Sequence, residues 1–365
     1  MQSTKDKSLF AKFFPTPKFL TIPAVGIDIS DNSIHLIEFA DKHGRKTLKK
    51  FGKYPIPDGV IIKGEIKKIK ELTDILKKIK KDNNINFVRA SLPEEKAYLF
   101  QTQIPGDVTD ENIRSILEFK LEEYVPLSPS SAIFDYNILP NQKDSDLLNV
   151  VVAVYPKNTI EKYTVVFEDA GMTLLSLEIE AQAIKRTVVK EGDTGTYMIV
   201  DFGKTKTGLS IVSNNVLSFT STLVVEEERL TNTIVKHLKV SEAEADRVKN
   251  EEGLIKTRNN KELFRELMNT AESFKDDINK HYRYWQTRVD EKGNRVDAIE
   301  KIIICGGNSN LAGLPEFLSS SLKVKVERAN VWANVFLFND FVPEIDSFNS
   351  LSYATAIGLA LRNIT

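Results

Sequence analysis

The sequence predicts an α/β protein built from two related halves. Three observations carry this. The chain has 365 residues, more than one ordinary core organises. Short apolar runs with strand character alternate with helical periodicity along nearly its whole length. The same local design, a buried run ending in Asp followed by a polar turn and a second apolar run, occurs at 24–40 and again at 197–212.

The composition narrows the function classes. Hydrophobic residues make up 41% and charged residues 28%, ordinary for a soluble globular chain. Lys+Arg is 50 and Asp+Glu 51, leaving a net charge of -1, which argues against a nucleic-acid binder that works by counterion release. Cys305 is the single cysteine, so no intramolecular disulfide forms, and the count argues against a Cys-built metal site. No stretch reaches the roughly 18 consecutive apolar residues of a membrane span, and the start lacks the pattern of a signal peptide. Residues 1–23 read as a tail. It mixes Leu9, Phe10, Phe13, Phe14 and Phe19 with Lys5, Lys7, Lys12 and Lys18; its aromatics are expected to pack on the body, with contact to an anionic membrane surface as the alternative.

The elements follow in order. Val25, Ile27 and Ile29 alternate before the Asp31-Asn32 turn, and Ile34, Leu36, Ile37 and Phe39 continue as a second strand. A lysine-rich amphipathic helix is expected over 65–81. Strands at 87–92 and 97–104, a helix at 110–124 capped by Thr109 and stopped by Pro126, strands at 133–139 and 147–155, and a helix at 158–169 closed by Gly171 form a compact α/β segment. A strand at 173–179 and a helix at 181–190 lead to a turn at 191–195. Strands at 197–201 and 208–212, a helix-rich charged stretch at 226–289, a strand at 301–305, a helix at 314–322, a strand at 323–327 and a helix at 352–362 complete the chain.

Three pieces carry the chemistry. The first is Gly26-Ile27-Asp28-Ile29-Ser30-Asp31-Asn32-Ser33, the second Val200-Asp201-Phe202-Gly203-Lys204-Thr205-Lys206-Thr207-Gly208, the third Ile303-Ile304-Cys305-Gly306-Gly307-Asn308-Ser309-Asn310. A polar turn after a strand can aim several backbone N–H groups at one anion. Asp28 and Asp201 cannot hold phosphate themselves, but each can hold a hydrated Mg²⁺. Two such hairpins would clamp a polyphosphate and its metal between two domains. Gly306 and Gly307, lacking Cβ, let backbone approach a base or ribose. Gly203-Lys204-Thr205 is not the end of a P-loop: the Gly needed five residues earlier is Met198, and a strand follows in place of a helix. Gly306-Gly307 with Gly313 does not fit a dinucleotide fingerprint. No zinc spacing and no nucleophile elbow exist, His35, His43, His237 and His281 are scattered, and Cys305 reads as a small buried hydrophobe.

The three pieces in this order resemble the actin-like ATPase superfamily, with its two phosphate hairpins and adenosine motif. Together with Leu117-Glu118-Phe119-Lys120-Leu121-Glu122-Glu123-Tyr124-Val125-Pro126-Leu127, Phe134-Asp135-Tyr136 and the closing Tyr353-Ala354-Thr355-Ala356-Ile357-Gly358-Leu359-Ala360-Leu361-Arg362, the chain resembles the PilM family of type IV pilus assembly, similar to FtsA. The likeness runs from Val25 to Arg362.

The resemblance implies an actin-like (ribonuclease H-like) two-domain ATPase fold with an FtsA/PilM-type inserted subdomain. The expected division is a first subdomain at 24–86, 173–192 and 330–365, an insertion at 87–172, a second subdomain at 193–225 and 295–329, and a helical subdomain at 226–294. It implies ATP with Mg²⁺. Asp28 and Asp201 are the expected metal residues and, with Glu180 facing the attacking water, the catalytic ones. Ser30, Asp31, Asn32, Ser33, Gly203, Lys204, Thr205, Thr207, Gly306, Gly307 and Asn308 are expected at the nucleotide, with Asp246 and Lys249 of Ala245-Asp246-Arg247-Val248-Lys249 at the ribose. Ser30 replaces the usual Gly of the first hairpin and Asn308 the usual third Gly, so binding with slow or no hydrolysis is expected. Lys204 and Lys206 add positive charge.

The implied function is a cytoplasmic adaptor of the type IV pilus, or a related type II secretion system, peripheral at the inner membrane. It captures the cytoplasmic N-terminal tail of a PilN-like inner-membrane protein in a groove at the insertion, and membrane contact is indirect. Self-association stays open. Two alternatives remain on the same fold. An FtsA-like filament-forming division protein would need a membrane helix beyond Asn363-Ile364-Thr365, and a small-molecule kinase would need a base beside an acceptor pocket.

Overall fold

A computed structural model describes residues 23–42, 45–139, 146–223, 228–257, 260–289, 293 and 295–362. The tail expected at 1–23 lies almost wholly outside them, as does His43. By their contacts the residues form two units: Met1–Ala40, Leu48–Ala183 and Gly358–Thr365 in the first, Asp41–Thr47 and Ile184–Ile357 in the second.

Unit 1 is organised by β1 (Val25–Ile29), buried along its whole length. It pairs antiparallel with β2 (Ser33–Lys42), Gly26 opposite Ile37 and Ile29 opposite Ile34, and parallel with β6 (Phe87–Leu92). β3 (Arg45–Pro55) and β10 (Thr173–Ile179) complete a five-stranded sheet of order β10-β6-β1-β2-β3. β3 is an edge strand carrying Arg45, Lys46, Lys49, Lys50 and Lys53, and the sequence reading passed over it. Cationic side chains on an edge guard against pairing with another chain, and they also erase the apolar alternation that marks a strand.

The helix expected at 65–81 begins later, as α1 (Ile69–Asn83), with Leu72, Leu76 and Ile79 buried and Asn84 left-handed at its end. The residues before it instead make a small hairpin, β4 (Ile61–Ile62) and β5 (Glu65–Ile66), turning through Lys63 and Gly64 at φ 49° and 71°.

The insertion has its own core. β7 (Tyr98–Pro105), β8 (Ala132–Ile138) and β9 (Leu147–Pro156) form an antiparallel sheet of order β7-β9-β8, covered by α2 (Asp110–Tyr124). Ile104, Ile113, Leu117, Leu121, Phe134, Val150 and Val152 pack together there. The insertion is narrower than the expected 87–172: β6 belongs to the main sheet beside β1, and α3 (Lys157–Asp169) packs against α1.

Unit 2 repeats the sheet plan. β11 (Thr196–Phe202) lies between antiparallel β12 (Thr207–Ser213) and parallel β14 (Lys301–Cys305), with β13 (Val216–Leu223) and β15 (Lys325–Arg328) at the edges. β12 and β13, the latter absent from the sequence reading, join through Asn214-Asn215 at φ 51° and 59°, the left-handed pair of a tight hairpin. The helical part comprises α5 (Glu228–Leu238), α6 (Glu242–Glu251, capped by Ser241) and α7 (Lys261–Thr287). α7 buries Leu263, Leu267, Ala271, Phe274, Ile278 and Trp285 along one face, and Phe274 stacks on Phe202 at 4.1 Å.

The stretch 330–357, expected with the first subdomain, joins unit 2 through hydrogen bonds from Asn334 Nδ2 to the Arg186 and Val189 carbonyls and from Thr187 Oγ1 to the Ala354 carbonyl. α8 (Leu314–Leu322) follows β14, and α9 (Ser347–Ser350) and α10 (Ala354–Leu361) close the described chain.

His35 sits on β2 directly opposite Asp28. Burial, helped by the charge of Lys53, pushes its pKa down from 6.5 to about 3. The folded chain therefore keeps His35 neutral where the unfolded chain protonates it. Stability is expected to fall as pH drops from His35's ordinary 6.5 towards about 3, by at most about 1.4 kcal/mol per pH unit. Denaturant unfolding at stepped pH checks this: His35→Gln should flatten the slope in that window, and an identical slope in the variant would refute it.

Candidate functional site

In unit 1 the first hairpin is tightly tied. Asp28 is buried at the end of β1, and its Oδ1 accepts from Ser91 Oγ at 2.8 Å, while the Ile29 amide donates to the same hydroxyl at 3.2 Å. Ser91 was not singled out from sequence; its only signal is a lone hydroxyl in the buried run of β6. The Ser30 hydroxyl folds back over its own turn, with the Ser33 carbonyl at 3.0 Å and Asn32 Oδ1 at 3.1 Å as alternative acceptors of its one hydrogen, and it accepts from the Ser33 amide at 3.3 Å. One of the turn's few amide donors is thus engaged by the side chain that replaces glycine.

Asp31 has a local partner. Its two carboxylate oxygens accept from the Lys63 amide at 2.6 Å and the Gly64 amide at 2.9 Å. It anchors the β4–β5 turn to the hairpin, a role that the expected place at a nucleotide does not describe. Glu180 is buried at the first turn of α4 (Glu180–Val188), where the helix N-terminus favours a negative charge.

In unit 2 more of the expected residues come together. Asp201 is the penultimate residue of β11 and faces the last residue of β14, Cys305, which is fully buried with Sγ 3.8 Å from Asp201 Oδ1. Gly306 follows at φ 82°, and a Cβ there would lie 2.5 Å from both Asp201 Oδ1 and the Phe202 carbonyl oxygen. A Cβ on Gly307 would meet nothing within 4 Å. Asn308 Nδ2 donates to the Gly203 carbonyl at 2.6 Å, and its Oδ1 accepts from Lys249 Nζ at 3.3 Å. Lys249 also pairs with Asp246 at 2.7 Å.

The second strand–turn–strand, the Gly-Gly turn and α6 therefore converge within one unit. Lys204 is drawn to Glu242 at 3.4 Å on the surface, and Thr205 is exposed. Thr207 is wholly buried at the start of β12, so its side chain is not open to a ligand. Arg328 was missed from sequence: its Nε and Nη2 donate to the Ser309 and Leu311 carbonyls at 2.9 and 3.0 Å, bracing the turn that Gly306 begins.

Among the described residues no group of three or more His, Cys, Asp or Glu side chains converges as a metal site. Asp28 and Asp201 as single carboxylates fit only a hydrated ion such as Mg²⁺, which keeps most of its waters. Among those residues no helix is long and apolar enough to cross a membrane.

Two sheets of one plan, each with an Asp next to the last residue of its central strand, define an actin-like fold. The chain matches the family described as Type IV pilus assembly protein PilM over residues 26–364, and it belongs to that family. It is similar to a chain of the PilM-PilN type IV pilus biogenesis complex at 18% identity, covering 93% of this chain and 98% of that one, with a TM-score of 0.75. Ethanolamine utilization protein EutJ from Carboxydothermus hydrogenoformans is 16% identical, with 93% and 92% coverage and a TM-score of 0.54. MreB5 of Spiroplasma citri bound to ADP is 12% identical, with 92% and 94% coverage and a TM-score of 0.51.

The Asp31 anchorage is directly testable. Asp31→Ala removes the acceptor of two backbone amides and should lower unfolding stability by about 1–2 kcal/mol. Chemical denaturation reads this, and unchanged stability would show that water replaces the carboxylate at no cost.

Proposed function

We propose that this chain binds ATP with Mg²⁺ and works as a nucleotide-dependent adaptor of type IV pilus assembly. It would act at the cytoplasmic side of the inner membrane by capturing the N-terminal tail of a PilN-like protein. The observation that carries the reading is the gathering in unit 2 of Asp201, Gly203, the open face at Gly307, Asn308 and the Lys249–Asp246 pair. An acidic strand end for hydrated Mg²⁺, turn amides for phosphate, a side-chain-free backbone for the base and a Lys–Asp pair for the ribose are the complement of a nucleoside polyphosphate. The naming of ADP with a protein of this fold, MreB5, supports the same class of ligand.

ATP turnover is slow or absent in this reading. Phosphoryl transfer is catalysed almost wholly by positioning and preorganised charge, and Ser30 diverts an amide of the first hairpin to itself.

The tail has a candidate seat within unit 1. A cavity of about 210 Å³ is lined by Gly64, Glu65, Ile66 and Lys96 on one side and Pro156, Asn158, Lys162 and Tyr163 on the other. It lies where the insertion leaves and rejoins the main sheet. Lys162 contacts Glu65 at 3.3 Å there, so the cavity offers both signs of charge to a peptide backbone. If nucleotide alters tail affinity, the tail must alter nucleotide affinity by the same factor.

Calorimetric titration of the full chain with Mg-ATP, with and without a synthetic tail peptide, tests both parts. Asp201→Ala should abolish ATP binding and leave the melting temperature near wild type. Lys162→Glu should weaken the peptide several-fold while ATP binding is kept. Equal peptide affinity with and without Mg-ATP would sink the coupling, and no ATP binding by the wild type would sink the nucleotide reading.

A further inference from the structure

Asn308 joins three groups that the proposed nucleotide would use. It lies in the short turn Gly307–Asn310 and is 5% exposed. Both ends of its amide are engaged, with Nδ2 donating to the Gly203 carbonyl at 2.6 Å and Oδ1 accepting from Lys249 Nζ at 3.3 Å. The orientation of the amide is dictated by its partners. Reversed, it would set an oxygen against a carbonyl oxygen and an NH₂ against an ammonium group.

The Lys249 side chain is itself only 6% exposed, and its second partner is Asp246 at 2.7 Å. One side-chain amide thus closes a chain of contacts running from Asp246 through Lys249 and Asn308 to the turn after β11.

The backbone on either side is held in place. The Ala312 amide donates to the Lys249 carbonyl at 3.1 Å and the Leu254 amide to the Ala312 carbonyl at 2.7 Å, which fixes the end of α6 to the loop. Gly253 is pressed against Ala312 so closely that a Cβ would lie 2.6 Å from the Ala312 amide nitrogen. Arg328 braces the far side of the turn at 2.9 and 3.0 Å. Between these fixtures the Asn308 side chain is held only by its two amide contacts, to Gly203 and Lys249. Its neighbour Gly307 opens on empty space, with nothing within 4 Å of a Cβ position. The turn is therefore open to a flat ligand at one residue and bridged at the next.

We propose that Asn308 is the residue that sets, and lowers, the nucleotide affinity of this chain. A nucleoside phosphate must draw the Asn308 amide off Gly203 and Lys249 before it can use the hairpin and the Lys249–Asp246 pair. This rests on the nucleotide reading above. It adds that the ligand-free site is latched by a side chain where glycine would leave it open.

The test compares the wild-type full chain with Asn308→Gly and Asn308→Ala by two measurements. Mg-ATP affinity is read by calorimetry. The rate of Lys249 acetylation without ligand is read by mass spectrometry, with exposed Lys77 as internal standard. The alanine variant keeps a Cβ and an ordinary backbone, and so guards against a glycine variant that fails to fold. Removing the bridge should tighten ATP about tenfold, the scale of one charged and one neutral hydrogen bond partly replaced by ligand contacts. Lys249 should be acetylated several-fold faster in both variants.

ATP binding that is unchanged or weaker in both variants overturns the latch and leaves the nucleotide reading standing, since Asn308 would then be idle or part of the grip. Unchanged Lys249 acetylation also overturns it. Absence of ATP binding in all three proteins overturns the nucleotide reading, and the latch falls with it.

Discussion

What unit 2 offers a ligand depends on one close approach. β14 runs parallel to β11 and ends opposite Asp201, and the next residue, Gly306, turns in the left-handed region with its Cα against Asp201 and the Phe202 carbonyl. Any side chain there would meet backbone at 2.5 Å, backbone that Phe202, stacked on Phe274 in the core, cannot yield cheaply. Because Gly306 fits, the loop after β14 lies on the hairpin after β11. Because the loop lies there, Asn308 reaches Gly203 and Lys249, and Arg328 reaches the Ser309 carbonyl. A central strand buried on both faces underlies this geometry: Met198 and Val200 pack into the core with Leu209, Ile302 and Ile304.

The two units reach the same sheet plan by different local chemistry. In each, three consecutive strands form an antiparallel meander and two later strands extend it in parallel. The Asp next to the last residue of the central strand is secured differently in each. Asp28 is held by a serine hydroxyl from the neighbouring parallel strand, while Asp201 lies against a glycine and a buried cysteine. The Ser91 hydroxyl, donating at 2.8 Å, fixes where the Asp28 carboxylate points. Asp31 then ties the first hairpin to the β4–β5 turn, a bond with no counterpart at Lys204 or Thr205, which face solvent. The first loop is closed by its own side chains, and the second by a residue brought from another strand.

Much of this was legible in the sequence where burial and turn chemistry agree. The runs ending in Asp28 and Asp201 are apolar because their strands are covered on both faces, and Asp31-Asn32 marks the turn between β1 and β2. The helix at Leu314–Leu322 is framed by Gly313 and by left-handed Lys323, and its span was read correctly. β3 was illegible because an edge strand needs no apolar face and its lysines hide the alternation. β13 was missed because Ser218, Thr220 and Thr222 look like loop residues, although they suit a half-exposed strand. Domain limits were the least legible. Whether β6 belongs to the insertion or to the main sheet depends on pairing with a strand some sixty residues earlier in the chain, and no local pattern carries that information.

The site residues divide along the same line. Asp28, Asp201, Gly306 and Gly307 stand out because strand ends and paired glycines are rare patterns with few physical uses. Ser91, Arg328 and the second partner of Asp31 do not, since their roles exist only through distant contacts. Ser30 and Asn308 are the instructive middle case. Each was visible as a polar residue where the family resemblance leads one to expect glycine. What the sequence did not show is the set of partners each side chain finds. Each side chain satisfies hydrogen-bonding groups that an open loop would leave to solvent. A buried amide such as that of Asn308 is costly to leave unpaired, so a ligand that displaces it must supply partners for Gly203 and Lys249 as well as its own contacts. In the proposed reading a polar residue at such a loop would act less as an obstacle than as a resident competitor, with the strength of its existing hydrogen bonds setting what a ligand has to replace.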